Sequence, residues 1–276
     1  MTHLVAIIIG AVEGLTEFIP VSSSGHLIIA RQLLGVNDSS GLAFDAIIQL
    51  ATSCALLVYF WRDVIRLLQT AWMWFIRRPI ESSEKTLLYS IVLGTIPAVI
   101  FGLLLEKKME TIFRNVHLVA LALIAGSVLF WYAQYASKKF RDRLADLHRP
   151  LSVWHGIIIG FYQCLALIPG VSRSGATISG GLIEGLSQAD AVRFSFLLSL
   201  PVLFGAGLKE LWSVHHDLLA QGITSAFDIN LLLGSVVAFV TGLIAIRYLM
   251  KYLKTHNLNI FIWYRIALAV VLFIVF

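Results

Sequence analysis

Two glutamates, three serines and a histidine interrupt the first apolar segment of the chain, where residues 13–27 read EGLTEFIPVSSSGHL. Glu13 and Glu17 are four residues apart, so on a helix their side chains lie on one face. An ionised carboxylate in a membrane segment costs on the order of 3 kcal/mol. A cation between the two would offset that cost, and carboxylate oxygens suit Mg²⁺ or Ca²⁺. We therefore predict a catalytic divalent-cation site at Glu13 and Glu17; alternatively, one pairs with an arginine and the other extends to water.

The serines and the histidine follow Pro20 in the same stretch. One of Ser22, Ser23 and Ser24 is expected to cap the next helix, because serine is a preferred N-cap residue. His26 lies three residues after Ser23 and four after Ser22, within reach of either hydroxyl, which is the arrangement of a nucleophile and its base. We predict Ser23 as the nucleophile, with Ser22 or an activated water as alternatives. The alternative for His26 is a structural hydrogen bond to a backbone carbonyl.

A second polar stretch, residues 169–181 with the sequence PGVSRSGATISGG, supplies hydrogen-bond donors instead of carboxylates. Backbone amides at a glycine-rich helix start bind anions, and Arg173 can hold a phosphate through two parallel N–H bonds. The predicted phosphate-binding set is Arg173, Ser172, Ser174, Thr177, Gly175 and, from the first stretch, Ser24. Alternatively, Arg173 neutralises Glu13 or Glu17, which does not exclude an anion site.

The two stretches together are typical of phosphoryl transfer. A metal ion and an arginine would neutralise the phosphate charge, a serine or a water would attack phosphorus, and His26 would move a proton. Two further polar residues lie inside apolar runs. Gln49 is expected either to touch the site or to bond a neighbouring helix, and Arg265 either to pair with a functional group or to extend to the membrane surface.

The elements that position these groups are membrane helices. Hydrophobic residues make up 58% of the 276 residues and charged residues 13%, against roughly 25% charged in soluble domains. The apolar segments are continuous instead of alternating, which predicts an all-α polytopic membrane protein and excludes a barrel. The net charge of +5 is modest and its basic residues lie in loops, so it indicates orientation in the bilayer and no nucleic-acid partner.

Six apolar runs are long enough to cross a bilayer, which takes about 20 helical residues. They lie at 43–61, 86–105, 117–136, 191–211, 229–250 and 258–276. Residues 4–34 and 154–186 are apolar but are broken in the middle by Pro, Gly and Ser. Each predicts a re-entrant hairpin of two short helices, because irregular backbone at membrane depth needs protein or water around it.

The two broken segments are copies of each other. IIIGAVEGL at 7–15 matches IIIGFYQCL at 157–165, and IPVSSSG at 19–25 is followed in the second copy by IPGVSRSG at 168–175. The similarity continues along nearly the whole chain. In this alignment Gln163 replaces the first glutamate and an arginine replaces the middle serine.

The chain, residues 1–276, is therefore predicted to be a single membrane domain with one repeat at about 1–137 and another at about 154–276. The basic loops lie at 62–85, 138–149 and 247–254, and are all placed in the cytoplasm. Three full spans per half then give the halves opposite orientations. The two hairpins enter from opposite faces, and their tips meet near the midplane.

EGLTEFIPVSSSGH and PGVSRSGAT closely resemble the two signature motifs of the bacterial undecaprenyl-diphosphate phosphatases, the bacitracin-resistance family. The resemblance runs the full length and includes Tyr264–Arg265 in the last span. It implies hydrolysis of undecaprenyl diphosphate to undecaprenyl phosphate and phosphate, which recycles the lipid carrier of wall polymers. It also implies an inverted repeat with two re-entrant hairpins in the bacterial inner membrane, a site open to the periplasm, a divalent cation and a homodimer.

Carried over position by position, the resemblance assigns the motif glutamates, serines and histidine to Glu13, Glu17, Ser22, Ser23 and His26. It assigns the phosphate-binding group to Ser172, Arg173, Ser174 and Thr177. Ser24 stands where relatives often have threonine, a change that keeps the hydroxyl.

Two other functions fit the same residues. Inverted repeats with broken helices occur in transporters, so the chain could carry a phosphorylated lipid or a small anion across the membrane. A non-enzymatic module could also confer bacitracin resistance by sequestering the lipid. The carrier needs only binding groups, whereas a serine–histidine pair beside two carboxylates favours the enzyme.

Overall fold

The computed structural model describes residues 1–36, 41–112, 115–143, 149–220 and 229–276. Over these ranges the chain forms eleven α-helices. They are α1 His3–Glu17, α2 Ser23–Leu33, α3 Gly41–Tyr59, α4 Trp61–Phe75, α5 Ser82–Ile112, α6 Val116–Arg143, α7 Val153–Leu165, α8 Arg173–Ile183, α9 Gln188–Ala220, α10 Ile229–Tyr252 and α11 Asn259–Val275. The prediction of an all-helical protein is confirmed for the described part of the chain.

Four of these helices, α5, α6, α9 and α10, are long and apolar enough to cross a membrane. The pair α3 and α4 passes the same criterion together but is bent by 85°, so the described residues give four spans, or five with the bent pair. Helix α11 is apolar but has only 17 residues. The chain is a polytopic helical membrane protein, and the predicted number of six spans is not reproduced by length and composition alone.

Helix α4 replaces most of what the sequence indicated as a basic loop at 62–85. Its outer side exposes Trp61, Leu68 and Trp72, while Thr70 is buried against α5 and donates its hydroxyl to the Glu84 carboxylate at 3.3 Å. Apolar side chains on one side of a helix that lies across the direction of its neighbouring span are typical of the membrane–water interface. The sequence prediction missed this helix because its basic residues indicated a loop.

Two pairs of closely packed helices join the halves of the chain, and each pair contains one helix from each half. A Cβ atom placed on Gly10 of α1 would lie 2.3 Å from the carbonyl oxygen of Gly234 in α10. A Cβ atom placed on Gly160 of α7 would lie 2.3 Å from the carbonyl oxygen of Gly94 in α5. These four glycines are equivalent pairs in the sequence repeat, so the same close backbone approach is made twice.

The two broken segments form hairpins of short helices. In the first hairpin α1 and α2 are joined by residues 18–22, and in the second α7 and α8 are joined by residues 166–172. Phe18 of the first break is fully buried and packs edge-on against Phe196 of α9, with ring centroids 5.7 Å apart. The breaks therefore lie inside the helix bundle, where neighbouring side chains and backbone can satisfy their polar groups.

Candidate active site

Both hairpin breaks end in a serine with the same uncommon backbone. Ser22 has φ 76° and Ser172 has φ 72°, and each caps the following helix by accepting the amide of a glycine three residues on. The Oγ–N distances are 3.4 Å to Gly25 and 3.1 Å to Gly175. A positive φ at a non-glycine residue costs about 1–3 kcal/mol and persists only where the surroundings enforce it. The predicted serine cap is therefore Ser22, and the second copy repeats it.

The two polar stretches meet through an ion pair. Arg173 Nη2 donates to Glu17 Oε1 at 2.7 Å, and both side chains are largely buried. Glu17 also accepts the hydroxyl of Ser23 through Oε2 and, more weakly, the amide of Gln49 at 3.4 Å. Gln49 is thus a neighbour of the site. Because Glu17 ends α1 while Arg173 begins α8, this one carboxylate joins the tips of both hairpins.

Glu13 lies one helical turn before Glu17 and is 1% exposed. Within the described part of the chain, neither of its carboxylate oxygens has a hydrogen-bond partner. A buried carboxylate is costly unless it meets a cation or takes a proton. Among the described residues no group of three or more His, Cys, Asp or Glu side chains gathers around a point, so these residues offer a metal at most two carboxylate ligands here.

His26 binds through both ring nitrogens, one of them to a backbone carbonyl, as the alternative prediction had it, and neither to a serine hydroxyl. Nδ1 lies 2.7 Å from the Ser22 carbonyl oxygen, and Nε2 lies 2.7 Å from the hydroxyl of Tyr264 in α11, whose ring stacks on the imidazole. A carbonyl only accepts, so Nδ1 carries hydrogen, and in the neutral ring Nε2 accepts from Tyr264. The predicted pairing of His26 with a serine hydroxyl is wrong: Ser22 Oγ caps the helix and Ser23 donates to Glu17.

A cavity of about 200 Å³ lies at the meeting point of the hairpins. The polar residues on its wall are Glu17, Ser23, Ser24, Gln49, Gln163, Ser172 and Arg173. The structure therefore brings the predicted nucleophile together with half of the predicted phosphate-binding set. Ser174, Gly175 and Thr177 are not on this wall, and the Thr177 hydroxyl bonds Ser195 and the backbone of α8.

Comparison with known proteins adds a family to this geometry. The family model "Bacitracin resistance protein BacA" matches residues 6–271. The chain belongs to the BacA family. Proteins named undecaprenyl-diphosphatase are similar over nearly the whole length: that of Chloroherpeton thalassium is 44% identical over 99% of this chain and 96% of its own, and that of Chlorobium phaeovibrioides 41% over the same shares. The protein of that name from Paenarthrobacter aurescens is 38% identical over 99% and 97%.

Arg265 binds the backbone of both hairpin breaks in this BacA-family chain. The side chain is fully buried, and its guanidinium donates to backbone carbonyls instead of reaching the membrane surface. The acceptors are Val171 at 2.8 Å, Gly170 at 3.1 Å, Leu123 at 3.3 Å and Pro20 at 3.4 Å. One side chain thus binds the irregular backbone of the first and second breaks and a carbonyl of α6.

Another cavity, of about 300 Å³, lies between α4, α5 and the start of α9. Its charged groups are already partnered: Arg193 pairs with Asp63, and Arg66 lies 4.0 Å from Glu84. The smaller cavity instead contains polar atoms of Gln163 and Arg173 that have no partner among the residues that the structure describes. We therefore assign the site to the smaller cavity, despite its size.

Two site residues were not singled out by sequence reasoning. Tyr264 lies 238 positions from His26, and only its place beside Arg265 distinguished it. Gln163 was noted only as the replacement for Glu13 in the second repeat. Gln163 could have been found from the alignment of the repeats, and Tyr264 from the rule that a polar residue inside a span faces protein or a cavity.

Proposed function

We propose that this chain hydrolyses undecaprenyl diphosphate to undecaprenyl phosphate and inorganic phosphate. Such a reaction recycles the lipid carrier for cell-wall polymers and confers resistance to bacitracin. The observation that carries the proposal is the ion pair of Arg173 with Glu17, which sets an anion-binding group beside a hydroxyl nucleophile in one buried cavity. Near full-length similarity to proteins named undecaprenyl-diphosphatase supports the same substrate.

The terminal phosphate binds at Arg173. The Nη2 of Arg173 donates to Glu17. The Nη1 of Arg173 is buried and has no partner within the described residues, so one edge of the guanidinium is left for a phosphate oxygen. The hydroxyls of Ser172 and Ser24 are further donors on the same wall. Hydrogen bonds between ionised partners are about twice as strong as neutral ones, so this edge is the main anchor of the substrate.

Ser23 is the nucleophile of this proposal, and Glu17 takes its proton. The Ser23 hydroxyl donates to Glu17 Oε2, while Oε1 keeps Arg173 in place. As Oγ bonds the terminal phosphorus, its proton passes to Glu17 and the bond to the undecaprenyl phosphate oxygen breaks. Water then hydrolyses the serine phosphate. In the alternative, a water beside Ser23 that donates to Glu17 would be activated by the same carboxylate, and Ser22 is excluded from attack only while it caps α2.

The donor set fits a divalent cation. Glu13 presents two buried oxygens that have no partner in the described part of the chain, one turn from Glu17, and carboxylate oxygens suit Mg²⁺ or Ca²⁺. These two residues would hold the ion, with water or substrate oxygens as the remaining ligands. The ion would supply positive charge to the diphosphate.

His26 and Tyr264 transfer protons between the site and the outside of the bundle. The Nδ1 bond to Ser22 fixes the ring, which leaves Nε2 and the Tyr264 hydroxyl as a pair that can pass a proton. Tyr264 is 45% exposed, so this pair has access to the outside of the bundle.

The membrane arrangement of the proposal has six spans and two re-entrant hairpins. Helix α3 spans alone while α4 lies at the cytoplasmic interface, and α11, at about 25 Å, spans with slight local thinning of the bilayer. The hairpins enter from opposite faces of the bacterial inner membrane, and the site opens to the periplasmic side. The basic residues near α4 support this orientation. We also propose that the chain forms a homodimer, which rests on the family resemblance alone.

Phosphate release tests the function directly. Purified protein in detergent with Mg²⁺ or Ca²⁺ is expected to release phosphate from undecaprenyl diphosphate, and a chelator or Arg173→Ala to abolish the release. No release in the presence of either ion, together with uptake of the lipid phosphate in liposomes, would instead establish a carrier. Binding without release or uptake would establish a sequestering module.

A further inference from the structure

Gln163, near the end of α7, has an amide that the fold itself does not use. The side chain is 2% exposed, and both its oxygen and its nitrogen are without hydrogen-bond partners among the described residues. It lies on the wall of the cavity that also contains Arg173 and Ser23. A buried amide is therefore presented to the space where the substrate is proposed to bind.

A packing role does not account for this amide. Buried polar groups in folded proteins are nearly always hydrogen-bonded, because leaving one unpaired costs free energy. The other buried positions of α7 include Ile159 and Gly160, which pack without polar groups. A leucine at position 163 would fill a similar volume at no such cost. The amide is explained if a ligand in the cavity completes its hydrogen bonds.

We propose, on the basis of the proposed function, that Gln163 binds the diphosphate of the substrate by donating Nε2–H to a phosphate oxygen. A second open donor on the cavity wall is Arg173 Nη1, which is also buried and has no partner among the described residues. A charged and a neutral donor left open on the same wall are suited to an oxyanion with several oxygens. Gln163 is then a substrate-binding residue, and its carbonyl oxygen is left to accept from water or from a protonated phosphate.

The repeat explains why this position carries an amide. Its counterpart in the first half is Glu13, which is equally buried and likewise has no hydrogen-bond partner within the described ranges. A carboxylate in the first half suits a cation, whereas a second carboxylate on the cavity wall would repel the phosphate. The neutral donor in the second half avoids that repulsion. The two halves therefore divide cation binding and anion binding between equivalent positions.

The test compares Gln163→Leu, Gln163→Glu and a matched control, Gln134→Leu. Gln134 of α6 also has an unpartnered amide nitrogen, but it is not on the cavity wall. For Gln163→Leu, kcat/KM with a prenyl diphosphate is expected to fall about tenfold or more, and inhibition by inorganic phosphate to weaken by a similar factor. The melting temperature is expected to stay the same or rise, because an unpaired buried amide has been removed. Gln163→Glu is expected to lose more activity than Gln163→Leu, and Gln134→Leu to keep wild-type kinetics.

Two results would overturn the inference. If Gln163→Leu keeps kcat/KM and phosphate inhibition within about twofold of wild type, the amide does not bind substrate. If it lowers the melting temperature with unchanged phosphate inhibition, the residue is structural. A further measurement, binding of a methylene-bridged prenyl diphosphate to each variant, separates the role of Gln163 from the proposed hydrolase function. An inactive wild type refutes the hydrolase function. Equal binding of the analogue by wild type and Gln163→Leu refutes only the role of Gln163.

Discussion

Arg173 Nη2 lies 2.7 Å from Glu17 Oε1, and this ion pair joins two stretches that are 156 residues apart in the chain. It uses one side of the guanidinium and leaves Nη1 open. The same carboxylate accepts Ser23, so anion binding and nucleophile activation depend on a single glutamate. The hairpin tips therefore cannot separate without disabling both functions.

Arg173→Ala is expected to abolish measurable phosphate release, and Arg173→Lys to retain only a small part of it, because an ammonium cannot hold Glu17 and a phosphate in the same fixed fork.

Removing one partner of a buried ion pair destabilises a protein by about 3–5 kcal/mol. The double variant Glu17→Gln/Arg173→Met is therefore expected to melt above Arg173→Met alone. Melting curves in detergent check this, and additive losses would show that the pair is not coupled.

Glu13→Gln is expected to remove the stabilisation that a divalent cation gives to the protein. Ligand that binds only the folded state at 100 times its dissociation constant adds about 2.7 kcal/mol of stability. Mg²⁺ or Ca²⁺ should accordingly raise the melting temperature of the wild type but not of Glu13→Gln. A matched control is Glu184→Gln, at the end of α8, which should respond to the ion as the wild type does. An equal response of Glu13→Gln would remove Glu13 from the metal site.

Tyr264→Phe is expected to lower kcat about tenfold with little change in KM, because it removes the only side-chain partner of His26 Nε2 recorded in the described structure. The stacked ring remains, so the fold should be preserved. The control is Tyr248→Phe, an exposed ring of α10 that stacks on Tyr252. His26→Ala should lose more than Tyr264→Phe. Unchanged kcat across the pH range for Tyr264→Phe would remove the Tyr264 hydroxyl from proton transfer, and unchanged kcat for His26→Ala would limit His26 to a structural role.

Arg265→Lys is expected to destabilise the protein by about 3 kcal/mol or more, since one ammonium cannot reach carbonyls of both breaks and of α6. Activity should fall in parallel, because the breaks carry the site residues. The exposed Arg247 of α10 offers the same substitution without these contacts, and Arg247→Lys should melt like the wild type. A normal melting temperature for Arg265→Lys would show that water replaces the guanidinium at the breaks.

Gly10→Ala and Gly160→Ala are expected to destabilise the protein by similar amounts, because in each a methyl group would overlap the backbone of the facing helix. Overpacking of this kind costs about 1–3 kcal/mol or more. At Gly102 a Cβ atom meets its nearest neighbour at 3.9 Å, so Gly102→Ala serves as the control and should be neutral or slightly stabilising. Thermal unfolding of the three variants makes the comparison. A tolerated Gly10→Ala would contradict the close approach of α1 and α10.

The sequence predicted the meeting of the hairpins because the repeat and the costly polar residues both indicated it. Pro20 and Pro169 mark the breaks, and the equivalent serines after them predicted the cap. Glutamate and arginine inside apolar segments need partners, which limited the possible arrangements to a few. These signals are local in the sequence or repeated in it, and so they can be read without coordinates.

The partners of Ser23 and His26 could not be predicted in the same way. The spacing placed the ring within reach of a hydroxyl and of a carbonyl alike, and the choice depends on side-chain rotamers and on Tyr264, which lies far away in the chain. Helix α4 was missed for a different reason. Its basic residues indicated a loop, although the apolar side chains of Trp61, Leu68 and Trp72 recur at helical spacing.

The carbonyl-bound guanidinium of Arg265 has an electrostatic consequence. Backbone carbonyls stabilise its charge without cancelling it, whereas the charge of Arg173 is offset by its carboxylate partner. The interior therefore contains two cationic side chains, Arg173 and Arg265, and two carboxylates, Glu13 and Glu17, and with Glu13 ionised these charges cancel before a polyanion arrives. An incoming diphosphate then encounters no net repulsion, and a single divalent ion is enough to balance most of the charge that it brings into the bilayer.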